Sequence, residues 1–300
     1  MSDLQPSLLD YARRGHTQWW RWLLTGVAAV FMGFIAQLVI GLVLVAVIMA
    51  EGIPADKILG EVQKPSNPVG FFALAAVSFG CFLISFWLCA LWIQAKRFGD
   101  LIGRWRWGAF AAGAALWLVL IAAGALIDYL IEPQGFSVTL SSATASLAVV
   151  AAGGLIIQTF AEEFIFRGWL TQAWLLATKN PIATAILSGL LFGSIHLPNP
   201  DGVLSAASAT VFGIATSLIA IRIGSLAFGY GMHLVNNLWG AVVVVSSTDV
   251  FKGAPAIFSQ HTTGLDWSDV GIEAACLVLV TALVYWRVPR PVEAAAQAFD

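Results

Sequence analysis

Long uncharged stretches dominate the chain, and their spacing determines what architecture it can adopt. A bilayer core about 30 Å thick needs roughly 20 apolar helical residues at 1.5 Å each. Eight stretches approach this length, at residues 22–50, 69–94, 107–130, 144–177, 181–197, 203–222, 225–246 and 269–287. The fourth is long enough for a span plus an interfacial extension, whereas Glu273 leaves the eighth only 13 uncharged residues before Arg287. The pattern predicts an all-α, polytopic transmembrane helical bundle of about eight spans.

Composition excludes the soluble alternatives. Of the 300 residues, 59% are hydrophobic and only 11% charged, with a mean hydropathy of +0.84, and a soluble domain would carry about 25% charged residues. A net charge of −2 argues against a nucleic-acid partner held by bulk charge. Cys81, Cys89 and Cys276 all lie in apolar runs, which supports neither a disulfide framework nor a cysteine zinc cluster. The expected partner is the lipid bilayer.

The distribution of Lys and Arg predicts the orientation. In the eight-span arrangement the lysines and arginines other than Arg167 divide eleven to three between the two sides. The larger group comprises Arg13, Arg14, Arg21, Lys96, Arg97, Arg104, Arg106, Lys179, Arg222, Arg287 and Arg290, and the smaller comprises Lys57, Lys64 and Lys252. Because cytoplasmic loops retain positive charge, we expect an integral multi-pass protein with both termini in the cytoplasm.

Two adjacent carboxylates stand out inside the fourth stretch, where Glu162 lies 18 residues from its start and Glu163 follows. Ionisable groups within a membrane are expensive and usually functional. Glu163 and Arg167 are spaced i,i+4 and can pair along one helix face, while Glu162 points about 100° away. One arginine cannot neutralise two buried carboxylates. If both glutamates paired with Arg167 or lay at the membrane interface, neither would need a catalytic role. Because Arg167 can neutralise only one of them, we favour Glu162 as a reactive group.

Two of the four histidines also lie in predicted spans. His196 follows Phe192 by four residues, and His233 precedes Asn237 by four, so His233 and Asn237 share a helix face. A lone buried histidine is more often a hydrogen-bonded core residue, but two beside a Glu-Glu pair favour a site. For Asn237, interhelical bonding is as good an explanation as catalysis. Asn236 lies about 100° round the helix and should therefore be inert in turnover.

Together these side chains are those of a hydrolytic site. A carboxylate can take a proton from water, an imidazole can orient that water, and an imidazole with an amide can donate to an oxyanion. Neither serine nor cysteine neighbours these histidines in sequence in a nucleophile-like setting, which favours attack by water. His196 should lie about 22 Å along its helix and His233 about 12 Å along its own, so the turn at 198–202 is expected to be recessed within the bundle.

The three motifs resemble those of the CAAX protease and bacteriocin-processing (Abi) intramembrane endopeptidases, which include the type II CAAX prenyl proteases. The family's EExxxR corresponds to Glu162–Arg167, its FxxxH to Phe192–His196 and its HxxxN to His233–Asn237, in the same order. The resemblance covers about residues 144–245. We therefore divide the chain into an N-terminal three-span region (1–143), a catalytic four-helix core (144–245), and an external loop, last span and cytoplasmic tail (246–300).

The resemblance implies that Glu162 is the general base, that His196 helps to hold the attacking water, and that His233 and Asn237 form the oxyanion hole. Glu163 and Arg167 look like supporting groups that fix the helix and its neighbours, and Phe192 is interpreted as packing. A glutamate and two histidines could equally bind Zn²⁺. Glu162, His196 and His233 would then be the ligands. We favour the metal-free form, with no cofactor, because an asparagine beside His233 suits an oxyanion hole better than a zinc shell.

The predicted function is hydrolysis of a peptide bond in a membrane-associated or lipidated protein or peptide. A proton-relay or ion-coupled transporter is the main alternative, because buried Glu and His also carry ions through membranes. The motif segments show no inverted repeat of the kind that would favour a transporter. A catalytically idle membrane scaffold is the third alternative.

Gly189 and Gly193 form a small-residue pair that predicts close approach of another helix.

Overall fold

The fold is a bundle of helices with one very small sheet, seen in a computed structural model that describes residues 6–50, 52, 54, 60, 63–262 and 264–289. The helices are α1 (Leu8–Ala12), α2 (Trp19–Ala50), α3 (Pro68–Gln94), α4 (Phe98–Ile102), α5 (Trp107–Ile131), α6 (Ser142–Glu162), π1 (Glu163–Leu170), α7 (Thr171–Thr178), α8 (Pro181–Ser194), α9 (Val203–Ile223), α10 (Ala227–Leu238), π2 (Trp239–Val243) and α11 (Trp267–Arg287). π1 and π2 are π-helical, and π1 joins α6 to α7 in one continuous rod. Lys57, Arg290 and the tail after residue 290, which carried part of the orientation argument, lie outside the described residues.

The predicted all-α polytopic bundle is confirmed, and the span count fits approximately. Six helices in the described part of the chain are long and apolar enough to cross a membrane. The predicted spans at 181–197 and 225–246 are shorter, because α8 has 14 residues and α10 has 12. At 1.5 Å per residue α8 is about 21 Å long, which is less than the bilayer core. α8 alone is therefore too short to cross the bilayer core, and the turn that carries His196 follows directly after it.

The eighth predicted span is better formed than its charge pattern indicated. α11 runs for 21 residues, or about 32 Å, from an N-cap at Asp266 whose side chain accepts hydrogen bonds from the Ser268 and Asp269 backbone nitrogens. The condition that Glu273 lies at the headgroups if this helix crosses stays a prediction. The carboxylate of Glu273 faces into the bundle, where it accepts a hydrogen bond from Ser208 at 2.5 Å.

Local sequence signals begin and end the helices around the site. Asn180 caps α8 by accepting from the backbone nitrogens of Ile182 and Ala183, and Pro181 occupies the first helical position, where its missing N–H costs nothing. Lys179 ends α7 in the left-handed conformation, at φ 53°. Because these signals adjoin one another, the chain turns sharply between α7 and α8, and the two helices pack together.

α8 and α9 pack closely because of the predicted glycine pair. A Cβ atom added at Gly189 would lie 2.8 Å from the Thr210 carbonyl oxygen of α9, and one added at Gly193 would overlap the Thr210 hydroxyl. The prediction that these glycines admit a neighbouring helix is therefore confirmed.

α2 is the least buried of the long helices, since only 6% of its most hydrophobic window is buried inside the protein. Its apolar side chains therefore face outward, as contact with lipid requires.

The basic residues gather at one end of the bundle, which we call the basic end. Arg14 pairs with Asp100 at 2.9 Å, the Arg21 guanidinium donates to the Ile93 carbonyl, and Arg222 donates to the Val288 carbonyl at 2.9 Å. These contacts join the start of α2, the end of α3, α4, the end of α9 and the end of α11. Arg14, Arg21 and Arg222, which the sequence assigned to one side of the membrane, thus lie at the same end of the folded bundle.

A three-stranded sheet closes the opposite end. Strands β1 (Phe136–Val138), β2 (Val244–Ser246) and β3 (Phe258–Gln260) have the order β1-β3-β2, with β3 antiparallel to β1 and parallel to β2. The external loop predicted after residue 246 also contains a strand, β3. Likewise, the apolar run at 225–246 does not end as a helix, since its last three residues form β2.

Candidate active site

The two neighbouring glutamates mark a change in helix geometry. Glu162 is the last residue of α6 and Glu163 the first of π1, and both are buried, with 5% and 1% of their surface exposed. π-helical turns are rare and occur frequently at functional sites, because they alter which side chains face a given neighbour. The two carboxylates therefore enter different surroundings, although they adjoin in sequence.

Glu163 is held by Arg167 and His233. Its Oε1 atom lies 3.3 Å from Nη1 of Arg167 and 2.8 Å from Nδ1 of His233. Arg167 is fixed in turn, because its Nε donates to the Thr216 hydroxyl at 2.9 Å and its guanidinium carbon lies 4.0 Å from the Phe192 ring centroid. The carboxylate of Glu163 is thus paired and enclosed, which suits a structural role.

Glu162 faces the other nitrogen of the same histidine. Its Oε2 atom lies 3.4 Å from Nε2 of His233 and forms no hydrogen bond with any described residue. Because Nδ1 of His233 faces the carboxylate of Glu163, that nitrogen carries the ring proton in the neutral tautomer. Nε2 of His233 is then the nitrogen left for Glu162 or for a bound reactant.

His196 reaches the same region from the turn after α8. Its Nδ1 atom lies 2.7 Å from the Phe192 carbonyl oxygen, so Nδ1 donates and Nε2 is free to accept. The Phe192 ring centroid lies 4.6 Å from that of His196 and 5.8 Å from that of His233. Phe192 therefore separates Arg167 from both imidazoles, a more specific position than the general packing predicted for it.

The amide of Asn237 points back toward α6. Its Nδ2 atom donates to Oε1 of Gln158 at 3.1 Å and to the hydroxyl of Thr159 at 3.2 Å. Asn236 was expected to lie off the functional face, but it also lines the cavity and accepts from the indole nitrogen of Trp117 at 3.1 Å. It is therefore unsuitable as an inert control.

A cavity of about 720 Å³ collects the predicted site residues. Glu162, His196, His233 and Asn237 all line it, and so does Phe192. Further acidic side chains face the same space, and the described residues that line it include neither lysine nor arginine. These acids are Asp128, Asp249 and Glu273. Burial raises the pKa of Asp249, which lies in the loop between β2 and β3.

The zinc alternative requires Glu162, His196 and His233 to bind one ion together. Within the described part of the chain, no group of three or more His, Cys, Asp or Glu side chains is arranged to hold a metal ion. Nδ1 of His233 is directed at Glu163, and Nδ1 of His196 at a backbone carbonyl. Each imidazole has one nitrogen left, but the three candidate ligands do not form a shared metal-binding group.

Three residues of this region were missed from the sequence. Gln158 lines the cavity one helical turn before Glu162, a spacing that places it on the same face and could have identified it. Thr216 of α9 accepts from Arg167, and Trp117 of α5 donates to Asn236. Neither carries a local sequence signal, since their helices approach the site only in the folded protein.

The fold and the site define a class of protein: a polytopic helical membrane protein whose bundle encloses a cavity lined by glutamate, histidine and amide side chains. Residues 144–239 match the family model of the type II CAAX prenyl endopeptidases, Rce1-like. This match confirms the resemblance inferred from the three motifs. The family is one of intramembrane CAAX-type endopeptidases, and its matched segment spans the chain from α6 into π2.

The chain is also similar to the uncharacterized protein YyaK of Bacillus subtilis (strain 168). The two are 29% identical over 231 residues, which covers 74% of this chain and 77% of YyaK. No solved structure matches the chain. The similarity to YyaK extends well beyond residues 144–239, and so includes helices on which no motif falls.

Proposed function

We propose that this chain is an intramembrane endopeptidase in which Glu162 activates water against a peptide bond of a membrane-associated or lipidated protein or peptide. The observation that carries the proposal is the convergence of Glu162, His196 and His233 on one cavity inside the bundle. Two imidazoles and an unbonded buried carboxylate at one space form the set required for general-base hydrolysis. The match to the endopeptidase family supports it independently.

In the proposed reaction, Glu162 takes a proton from water while the water oxygen bonds to the carbonyl carbon. The free Nε2 of His196 accepts the second hydrogen of that water and holds it in place. The carbonyl oxygen becomes an oxyanion facing His233 and Asn237. When the C–N bond breaks, Glu162 returns its proton to the leaving nitrogen, so that the enzyme is regenerated.

In this scheme the ring of His233 must be in one particular protonation state. Nδ1 already faces Glu163, so a donor at Nε2 as well requires the protonated ring. His233 therefore donates to the oxyanion only as the imidazolium. Glu163, itself paired with Arg167, is positioned to hold that ring in a fixed orientation, as an acid orients a catalytic imidazole in hydrolases.

A second, apolar pocket supports a lipid-bearing substrate. It has a volume of about 500 Å³, lies beside the main cavity, and shares Ala125, Trp239 and Val244 with it. Its other walls include the side chains of Tyr129 and Phe136. Such a pocket would lower KM for a peptide that carries a hydrocarbon chain relative to the same peptide without it. Ala125→Leu places a larger side chain where the two pockets meet and should reduce this difference in KM.

The test uses purified protein in detergent with two quenched fluorescent peptides, one ending in a prenylated CAAX sequence and one identical but unlipidated. Glu162→Gln should lower kcat by about 10² to 10⁴, the usual contribution of a general base, with unchanged folding. Glu132→Gln makes the same chemical change at the end of α5, outside the cavity, and should turn over normally. Wild-type turnover by Glu162→Gln would exclude this base. Absence of cleavage by the native protein would favour the transporter or the scaffold.

A further inference from the structure

The wall of the main cavity carries charges of one sign. Four carboxylates line it, and the described residues around it include neither lysine nor arginine. The four are Glu162 of α6, Asp128 of α5, Asp249 of the loop between β2 and β3, and Glu273 of α11. The buried Arg167 lies behind the Phe192 ring and is paired with Glu163. The acids of the wall therefore have no lysine or arginine beside them to balance their charge.

Glu273 is the member of this wall that packing explains least. It lies six residues after the start of α11, a helix long and apolar enough to cross a membrane, and its carboxylate accepts from the Ser208 hydroxyl at 2.5 Å. A neutral hydroxyl orients the carboxylate without balancing its charge. Ionisable groups at such positions are costly and usually functional. The proposed hydrolysis does not use Glu273, so its charge is left for another group.

Asp249 brings a second carboxylate near the bond that would be cut. Its Oδ2 atom would lie 3.3 Å from a Cβ atom added at Gly240, which lines the same cavity three residues after Asn237. The backbone nitrogens of Val250 and Phe251 hold this carboxylate in place. Burial raises the pKa of Asp249, as expected of a carboxylate that no cation balances. A cationic group in the cavity would stabilise its ionised form.

A long cationic side chain suits this wall better than a metal ion does. In the described part of the chain no three or more acids, histidines or cysteines are grouped to hold a metal. A lysine or arginine carries its charge at the end of a flexible stem, and it can therefore reach a carboxylate while the peptide backbone lies beside Glu162. Glu162 is only 5% exposed, and its Oε2 atom has no hydrogen bond to a described residue, which independently indicates a space that receives a ligand. A cleft lined by one sign of charge also concentrates ligands of the opposite sign.

We infer that Asp249 and Glu273 select peptides that carry a lysine or arginine side chain close to the bond that is cut. This inference rests on the proposed function and adds a charge class to its substrates. The hydrocarbon chain would occupy the apolar pocket, and the cationic side chain would lie against the acidic wall. Asp249 and Glu273 act on specificity alone, because opposite charges across an interface favour the matching partner and disfavour the others.

Matched peptides test this selection on the purified protein in detergent. Each of the two quenched peptides is made with lysine or with norleucine, an uncharged analogue of similar length, at one position. That position is moved over the three residues on each side of the cleaved bond, which mass spectrometry of the products locates. At the favoured position kcat/KM should be about ten- to a hundredfold higher with lysine, the range expected for a hydrogen bond to a charged group. Equal values for lysine and norleucine at every position would overturn the inference.

Asp249→Asn and Glu273→Gln remove the charges with little change in side-chain size. Asp249→Asn alone should lower the ratio of kcat/KM for lysine over norleucine by about threefold or more, and the double variant should bring it to about one. Because one preparation cleaves both peptides, the ratio does not depend on the fraction of the variant that is folded. Glu132→Gln is the matched control, since it removes a carboxylate outside the cavity and should keep the native ratio. An undiminished ratio in the double variant would overturn the inference.

The same measurements separate this inference from the proposed function. If the native protein cleaves the lysine and norleucine peptides equally well and Glu162→Gln cleaves neither, the inference alone is overturned. If the native protein cleaves none of the peptides, both are overturned.

Discussion

The Nδ1 atom of His233 lies 2.8 Å from a carboxylate oxygen of Glu163, a residue 70 positions earlier in the chain. This contact joins α10 to π1 and assigns different tasks to two adjacent acids. Glu163 faces a histidine and an arginine and is enclosed, whereas Glu162 faces the cavity. The i,i+4 spacing of Glu163 and Arg167 already separated the two glutamates in the sequence, and the folded protein adds His233 as a second partner of Glu163.

Removing the arginine of this group should destabilise the whole bundle. Arg167→Met leaves the Glu163 carboxylate buried without its cation, and breaking a buried pair in this way typically costs about 3 to 5 kcal/mol of unfolding free energy. Thermal unfolding in detergent measures the loss. Arg14→Met is the comparison, because the Arg14 side chain is 50% exposed in its pair with Asp100, and an exposed pair contributes about 0 to 1 kcal/mol. Equal losses at the two positions would contradict the proposed enclosure of Glu163.

Proteolysis should survive exhaustive chelation. Glu162, His196 and His233 line one cavity, but the described residues supply no three-ligand group for a metal ion. Full activity after treatment with a strong chelator, together with a substoichiometric metal content by elemental analysis, is the expected result. Activity that is lost on chelation and restored by one zinc per chain would replace the glutamate mechanism with a metal-dependent one.

Topology reporters should place residues 100 and 288 in the cytoplasm and residue 258 outside. Residues 100 and 288 lie at the basic end, where Arg14 and Arg222 contact them, while residue 258 lies in β3 at the opposite end. Positive charge is retained on the cytoplasmic side, which gives the bundle its expected direction. An external residue 100 with a cytoplasmic residue 258 would reverse this orientation while leaving the fold unchanged.

Lys96 should make stability rise with pH above neutrality. The side chain lies beyond the end of α3, donates to the carbonyls of Tyr11 and Ala12, and is fully buried. Burial lowers the pKa of Lys96 from 10.5 to about 8. Between these values the unfolded chain binds the proton that the folded chain has released, so the free energy of unfolding increases with pH across this window.

The measurement is the midpoint of thermal unfolding between pH 7 and pH 10.5 for the native protein and Lys96→Met. The native midpoint should rise relative to that of the variant above about pH 8, and the difference should level off below it. Other titrating groups cancel in this comparison. Parallel curves for the two proteins would show that Lys96 titrates alike in the folded and unfolded chains.

The sequence predicted the membrane helices well, because apolar length is a direct physical requirement of the bilayer. It predicted less well where tertiary contacts decide the conformation. β1, β2 and β3 have three residues each and arise from segments far apart in the chain, so no local pattern announces them. No local pattern indicated a partner for Glu273, which accepts a hydrogen bond from the hydroxyl of Ser208, 65 residues earlier.

The predicted site was identified because ionisable side chains cost free energy inside a membrane and are usually functional. An uncharged amide costs less, so the same argument does not single it out. Glu162, His196 and His233 therefore appeared in the sequence, and the structure brings them to one cavity. Gln158 did not, because an uncharged amide in an apolar helix attracts little notice. Its partner Asn237, which donates to Oε1 of Gln158, is 79 residues away and on another helix.

The π-helical stretch π1 changes the direction in which side chains point around the axis of the long rod from Ser142 to Thr178. Hydropathy treats this rod as one uniform cylinder, yet the wider turn shifts the angular position of every side chain that follows. Before the shift, Gln158 and Glu162 face the cavity. After it, Gln172 donates to the Asp100 carbonyl at 2.7 Å and accepts from buried Lys96 at 3.2 Å. One rod thus serves two polar networks, and deleting a single residue from π1 would put them out of phase without changing the hydropathy of the span.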